Sequence, residues 1–93
     1  MEFEWNEDKA AQNLRKHKVS FAEAATVFGD PLGVTVPDPD HSSEEDRLIT
    51  VGLSIRSRLL IVSHCDLDDR VRIISARRLT RTERKVYEEK TKQ

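Results

Sequence analysis

Apolar residues recur along this chain at spacings that predict two helices early and a run of short strands later. Phe3 and Trp5 alternate with glutamates, which is typical of a short opening strand. A helix is predicted from the capping residue Asn6 to about His17, with acidic side chains in its first turn. A second helix is predicted over residues 20–28, because a serine and a glutamate three positions later form a capping box ahead of apolar residues at helical spacing.

The rest of the chain alternates in the manner of strands at residues 32–36, 48–53, 59–65 and 70–76. The third segment is nearly continuously apolar, which favours a central strand buried on both faces. Gly52 marks a candidate bulge in the second. A polar, acidic loop separates the first two, and a last helix is predicted to begin after Thr80 and end near Lys90. The predicted order is β-α-α-β-β-β-β-α, a single α+β domain over residues 1–93 with an antiparallel meander of strands.

The composition describes a small and heavily charged protein, with 93 residues of which 35% are charged. Its one cysteine, Cys65, excludes an internal disulfide framework and fits a reducing compartment. No apolar run reaches the ~18–20 residues of a membrane span, and the acidic N-terminus has no apolar signal region. We therefore expect a cytoplasmic protein that binds no membrane and no cofactor.

The charge is divided unevenly along the chain. Residues 1–50 hold 5 Lys/Arg and 11 Asp/Glu, whereas residues 51–93 hold 11 Lys/Arg and 6 Asp/Glu. Between positions 70 and 85 there is one carboxylate, Glu83, among seven basic residues: Arg70, Arg72, Arg77, Arg78, Arg81, Arg84 and Lys85. The planar guanidinium matches phosphate oxygens, so this cluster indicates a bound polyanion. The alternative is a solvated strand end that makes weak surface ion pairs.

The two adjacent arginines of this segment fall on opposite faces of the last predicted strand. Regular alternation would place Arg78 with Arg70 and Arg72, and would place Arg77 with Val71 and Ile73. A bulge near the end of the strand would change this assignment.

Three histidines are the candidate proton-transfer groups. His17 ends the first helix, where the helix terminus favours a protonated imidazole; a general acid and a simple contact with the last carbonyls are equally consistent with this position. His64 lies on the apolar side of a strand and is predicted to be a hydrogen-bonded core residue. His41 lies in the acidic loop and is predicted to be solvated. The nearby Asp38-Pro-Asp40-His41 has no recognised ligand spacing, so no metal site is expected.

Segments spread over the whole chain resemble, in their order, the BrnT toxins. The resemblance rests on Phe3-Glu-Trp5, Asn13-Leu-Arg-Lys-His17, Val19-Ser-Phe21, Glu23-Ala-Ala-Thr-Val-Phe28, Asp30-Pro31, the Pro-Asp loop at 37–41, Arg72-Ile-Ile-Ser-Ala-Arg77-Arg78 and Arg81-x-Glu83-Arg84-x-x-Tyr87-Glu88. No single motif is sufficient, but the ordered set is specific. The family commonly has glycine where this chain has Lys18, at a position that favours a left-handed backbone.

The resemblance implies a RelE-like fold and a ribonuclease that arrests translation. It also implies a BrnA-type antitoxin that inhibits the toxin, binds operator DNA and represses the operon. A metal-independent ribonuclease uses the 2′-hydroxyl of its substrate as nucleophile, and it needs proton transfer and cations at the phosphorane. We assign Arg77 and Arg78 to the phosphorane, and Lys16 and His17 to proton transfer or phosphate binding. Contacts with the RNA are assigned to Arg70, Arg72, Arg81, Arg84, Lys85 and Tyr87.

Two other functions compete with this interpretation. A non-catalytic nucleic-acid-binding module would bind RNA in a salt-sensitive way without cleaving it. The low aromatic content, 5%, disfavours it, because single-strand binders usually carry several stacking aromatics. A partner-binding module would use the basic cluster only for an acidic protein, and the sequence does not separate it from an inactive toxin.

Overall fold

The computed structural model describes residues 1–40 and 46–91 of the chain. Its elements are β1 (Glu2–Glu4), α1 (Glu7–His17), α2 (Phe21–Thr26), β2 (Val34–Pro37), β3 (Arg47–Leu53), β4 (Leu59–Asp66), β5 (Arg70–Arg78) and α3 (Arg81–Thr91). A 3₁₀ turn, Val27–Gly29, extends α2. The predicted α+β class and element order are confirmed, and most element ends lie within two residues of their predicted positions. Among the described helices, none has the length and apolar character that a membrane span requires.

The five strands form one mixed sheet in the order β1-β5-β4-β3-β2. Strands β2 to β5 make the predicted antiparallel meander. The sequence did not predict that β1 lies parallel to β5, with Phe3 opposite Val71. The connection between this parallel pair contains both helices and strands β2 to β4.

Helices α1 and α2 cover one face of the sheet and form the core with it. The largest fully buried side chains of this core include Phe21, Leu60 and Ile73. We call the opposite side of the sheet the open face. The prediction that β4 is buried on both faces was wrong there, because Ile61 and Ser63 on the open face are only half-buried.

A bulge in β5 decides which side chains face outward. Ser63 pairs with Ser75 and His64 pairs with Ile73, so Ile74 is the extra residue. Beyond it, Ala76 faces the core and Arg77 lies on the open face opposite Ile61. The assignment of Arg77 to the face of Val71 was therefore wrong, because it assumed a regular strand.

Gly52 has a different role from the predicted bulge. It pairs regularly with Leu60. A Cβ at this position would lie 2.9 Å from Cγ1 of Val27 and 3.1 Å from Oδ2 of Asp30. Glycine is needed here because the turn after α2 approaches β3 closely.

The local signals at the helix ends are confirmed. The Asn6 side chain accepts a hydrogen bond from the Lys9 N–H at 3.0 Å, and the Ser20 hydroxyl accepts one from the Glu23 N–H at 3.0 Å. Lys18 has φ 61°, so this position is left-handed as the family's glycine suggested. Its backbone N–H donates to the Leu14 carbonyl at 3.0 Å and closes α1.

A buried ion pair fixes the turn between α1 and α2. The carboxylate of Glu23 accepts hydrogen bonds from Arg58 through both Nε, at 2.9 Å, and Nη2, and another from the Ser54 hydroxyl at 2.7 Å. Arg58 also donates to the carbonyl of Lys18 at 3.1 Å. These hydrogen bonds hold the pKa of Glu23 below its usual value, with the Arg58 contact the largest cause. The end of α1 is thereby attached to the β3–β4 turn.

Candidate active site

The open face carries a cavity of about 410 Å³ at the junction of the sheet, α1 and α3. We call this cavity the cleft; it is lined by His17, Asp38, Pro39, Asp40, Ile49, Ile61, Ser63, Ser75, Ala76, Arg77 and Glu83. Its size is within the range of small-ligand sites. The cleft brings His17 and Arg77 together although 60 positions separate them in the sequence.

Arg77 is held in the cleft by Glu83. The guanidinium donates from Nη1 to Oε1 at 2.8 Å and from Nη2 to Oε2 at 2.9 Å, a two-point contact between a strand end and α3. This contact, with the backbone hydrogen bond from Thr80, lowers the pKa of Glu83 to about 2. It raises the pKa of Arg77 from its ordinary value. Glu83 is therefore ionised at neutral pH and is a weak proton acceptor.

The same carboxylate caps α3. Oε1 of Glu83 accepts from the Thr80 N–H at 2.9 Å, and the Thr80 hydroxyl accepts from the Glu83 N–H at 3.1 Å. This is the capping box predicted for the last helix. Because the Glu83 side chain both caps α3 and binds Arg77, the start of α3 and the direction of Arg77 are fixed together.

Asn13 places the end of α1 beside the cleft. Its buried amide donates to the carbonyl of Ala76 at 2.8 Å and to that of Val19 at 2.9 Å. Its Oδ1 accepts from the N–H of Ala76 at 3.1 Å. These bonds fix α1 against β5, and the half-buried His17, one turn further along the helix, reaches the cleft.

The other residues assigned to catalysis lie near the cleft but do not line it. Lys16 is exposed and borders a neighbouring recess together with His17 and Ser75. Arg78 is exposed and pairs with Leu60 on the helix-covered side of the sheet. The structure therefore separates Arg77 from Arg78.

Arg70 and Arg72 lie at the opposite end of β5 and are already paired. Nε of Arg70 contacts Glu4 at 2.5 Å, and Nε of Arg72 contacts the other oxygen of Glu4 at 2.6 Å. Arg70 also contacts Asp69 at 2.9 Å. Hydrogen bonds from both arginines hold the pKa of Glu4 below its ordinary value, the Arg72 bond being the largest cause.

Helix α3 presents basic side chains to solvent and packs lightly on the sheet. Arg81, Arg84 and Lys85 are exposed. Tyr87 packs in an apolar groove beside Val51, and its hydroxyl donates to the Leu32 carbonyl at 3.1 Å. Burial raises the pKa of this phenol. The structure does not bring Tyr87 to the cleft.

His64 is a hydrogen-bonded core residue, as predicted. It is 1% exposed, with Nε2 2.8 Å from Oγ1 of Thr50 and Nδ1 2.9 Å from Oδ1 of Asp66. Phe28 packs edge-on against the imidazole at 4.8 Å. Burial lowers the pKa of His64, and Asp66 opposes that shift only in part. The interpretation of His41 concerns a residue outside the described ranges. Within those ranges, no three His, Cys, Asp or Glu residues are placed to hold a metal ion.

The sequence did not indicate the places of four residues that line or support the cleft. Glu83 was recognised only as a cap, and Asn13 only as part of a motif. The signal for Asn13 was its position one turn before His17 on the buried side of α1. Ser63 and Ser75 form a cross-strand pair on the open face because of the bulge, and the isolated sequence gave no signal for that.

These features define a small α+β protein with a polar cleft on the open face of its sheet, in which Arg77 and His17 lie together with the carboxylates of Asp38, Asp40 and Glu83. The chain belongs to the BrnT family: the profile described as "Ribonuclease toxin, BrnT, of type II toxin-antitoxin system" matches residues 5–83. The fold is similar to that of the Brucella abortus ribonuclease toxin BrnT, solved at 1.1 Å, with a TM-score of 0.68 and 20% identity over 87% of this chain and 99% of that one. None of the curated proteins compared with this chain matches it.

Proposed function

We propose that this toxin is an endoribonuclease that cleaves RNA without a metal ion and thereby inhibits translation. The 2′-hydroxyl of the substrate attacks the adjacent phosphorus, the 5′-oxygen of the next nucleotide leaves, and a 2′,3′-cyclic phosphate results. The observation that carries the proposal is the meeting of Arg77 and His17 in one cleft. Arg77 is a cation for the phosphorane, and the imidazole of His17 is a candidate for proton transfer.

Arg77 would stabilise the charge that develops on the phosphorane. Its end-on contact with Glu83 uses Nη1 and Nη2, and Nη1 also donates to the Arg78 carbonyl at 3.2 Å. A guanidinium has five N–H donors, so Nε and one proton of Nη2 stay available for the scissile phosphate. Glu83 would act as a positioning residue that keeps this edge directed into the cleft.

His17 would transfer a proton, and Lys16 beside it would bind a phosphate at the rim. His17, at the end of α1 and in the lining of the cleft, would protonate the leaving 5′-oxygen. Outside the cleft, Arg78, Arg81, Arg84 and Lys85 would hold the RNA backbone. Arg70 and Arg72 would do so only by exchanging Glu4 for phosphate.

The protein would act in the cytoplasm under the control of a BrnA-type antitoxin. The antitoxin would cover the basic surface, and it would bring the complex to operator DNA. The family assignment supports an antitoxin partner, and the exposed arginines of α3 support an acidic contact surface on it.

The test is cleavage of a mixed RNA by purified, antitoxin-free protein in EDTA. We expect products with 2′,3′-cyclic phosphate ends. Arg77→Ala should lower the rate about 100-fold or more, since it removes a preorganised oxyanion partner. Arg56→Ala is the matched control, because this side chain is 70% exposed and lies outside the cleft. Intact RNA from folded wild-type protein would refute the catalytic proposal.

The second candidate is an RNA- or antitoxin-binding module without catalysis. The engagement of Arg77 with Glu83 favours it, because a guanidinium paired with a carboxylate stabilises the charge of a phosphorane less than an unpaired one does. This candidate requires salt-dependent RNA binding, or antitoxin binding alone, with no cyclic phosphate formed.

A further inference from the structure

The two ends of the cleft differ in charge. Arg77, paired with Glu83, lies with His17 at one end, where β5 meets α1. Asp38 and Asp40, in the segment after β2, lie at the other. The N–H donors of Arg77 that Glu83 does not engage can bind a phosphate, and the carboxylates of the second end repel one, so a bound nucleotide has one favoured direction.

The floor between these ends combines aliphatic side chains with hydroxyl groups. Ile49 pairs across the sheet with Ser63, and Ser63 pairs with Ser75, so the three side chains form one row on the open face. All three are half-buried and line the cleft, whereas α3 packs over the neighbouring row at Val51. An aliphatic surface accepts the plane of a base, and a serine hydroxyl donates to or accepts from its edge.

The spacing of the rows fits a single nucleotide. Residues two apart on a strand lie about 7 Å from each other along it, which separates Arg77 from Ser75 by one such step. This is the scale of the distance between the phosphate and the base of one nucleotide. The cavity of about 410 Å³ accommodates a ligand of that size.

We propose that the cleft is a nucleobase-binding subsite that places one base of the RNA over Ile49, Ser63 and Ser75, with its phosphate at Arg77. The carboxylate end favours bases that carry an amino group, which are adenine, cytosine and guanine, over uracil. A carboxylate accepts a hydrogen bond from an amino group, and uracil has none. The inference rests on the proposed function and adds to it the substrate preference of the same site.

The test measures binding with substrates that cannot be cleaved at the tested position. Four pentanucleotides of sequence UUNUU differ only in the central base and carry 2′-deoxyribose at all five positions, and dissociation constants are measured by fluorescence anisotropy at one salt concentration. We expect the three amino-bearing bases to bind about fivefold more tightly than uracil. Asp40→Asn should bring the four constants together. Asp68→Asn, at an exposed carboxylate in the β4–β5 turn, should leave the preference unchanged.

A second measurement locates the base. On titration with the preferred oligonucleotide, the backbone amide signals of Ser63 and Ser75 should shift, and a Ser63→Ala/Ser75→Ala variant should bind more weakly while it keeps the wild-type spectrum elsewhere. Equal affinity for all four bases, no binding, or shifts confined to other strands would each overturn the inference. Because the oligonucleotides contain no 2′-hydroxyl, the outcome is independent of cleavage. Base-dependent binding by a protein that leaves all RNA intact would support the subsite and refute the nuclease proposal. Equal binding of all four bases by a protein that cleaves RNA would refute the subsite and support the nuclease proposal.

Discussion

The side-chain amide of Asn13 hydrogen-bonds both backbone polar groups of Ala76, as a neighbouring strand would. β1 pairs with β5 only over Arg70 to Arg72, and beyond that point this amide satisfies the N–H and carbonyl of Ala76. A third bond, to the Val19 carbonyl, fixes the turn after α1. One buried polar residue thus takes the place of a neighbouring strand beyond the end of β1 and fixes the helix that carries His17.

We expect Asn13→Ala to destabilise the protein by about 2–4 kcal/mol, because it leaves three buried backbone groups without a partner. The free energy of unfolding is measured by urea denaturation. Gln12→Ala, at the adjacent exposed position of α1, should change it by less than about 0.5 kcal/mol. Equal effects of the two substitutions would show that the Asn13 bonds contribute little.

Glu83→Gln should impair cleavage more than stability. The variant keeps a hydrogen-bonding side chain at the capping position but loses the charge that holds Arg77, so we expect kcat to fall about tenfold and unfolding free energy to fall by less than about 1 kcal/mol. Because the pKa of Glu83 is about 2, its contribution to stability is present above its ordinary value of 4.5 and is lost as pH falls toward about 2. The wild-type rate should therefore show no ionisation of Glu83 near neutral pH.

Glu89→Gln on the exposed side of α3 is the matched control for this experiment. It should leave the rate and its pH profile unchanged. The wild-type cleavage rate could instead fall on acidification with an apparent pKa well above 4.5. If Glu83→Gln did not show that fall, Glu83 would be identified as a general base.

Stability should decrease on mild acidification because of His64. Burial lowers the pKa of this imidazole, so the folded state keeps it neutral while the unfolded state binds a proton below about its ordinary value of 6.5. Stability is therefore full above 6.5 and is lost as pH falls through the lowered folded-state pKa. Urea midpoints measured from about pH 7.5 to about pH 5.5 should fall more steeply for wild type than for His64→Gln. Parallel slopes would contradict this assignment, since the other histidines are common to both proteins.

Lys18→Gly should stabilise the fold by about 0.5–1 kcal/mol. Lys18 has φ 61°, which costs energy for a residue with a Cβ and none for glycine, although glycine loses more backbone entropy on folding. Lys18→Ala separates the effect of the backbone from that of the charge and should not stabilise. Thermal denaturation of wild type, Lys18→Gly and Lys18→Ala tests this expectation. A Gly variant no more stable than the Ala variant would contradict the explanation.

Local signals in the sequence predicted most of the fold. The cleft could not be predicted, because it depends on strand register and on contacts between distant segments. The caps at Asn6, Ser20 and Thr80 act within three residues, so they could be identified directly. The face of the sheet on which Arg77 lies could not be identified in this way, because the bulge at Ile74 arises from the register of β5 against β4. The parallel pairing of β1 was hidden for a similar reason, since a three-residue strand gives no indication of its neighbour.

The carboxylate of Glu83 illustrates the same limit within the site. A threonine and a glutamate three positions apart predicted a helix start, which is correct. The second role of that carboxylate, in holding Arg77, requires the end of β5 to lie beside the start of α3. That proximity comes from the tight turn after the bulged strand, so the functional role became visible only with the tertiary structure.

The extra residue in β5 also decides which of the two adjacent arginines lies on the open face. If Ile74 were instead taken into regular alternation, Arg77 would turn toward the helices and Arg78 would come to the open face. The neighbouring arginines are thus two alternative occupants of one place, and the bulge selects between them. Deletion of Ile74 would leave this choice unchanged, because Ser75 would then follow Ile73 in regular alternation, whereas a change that removes the bulge but keeps all nine residues of β5 would exchange the two side chains.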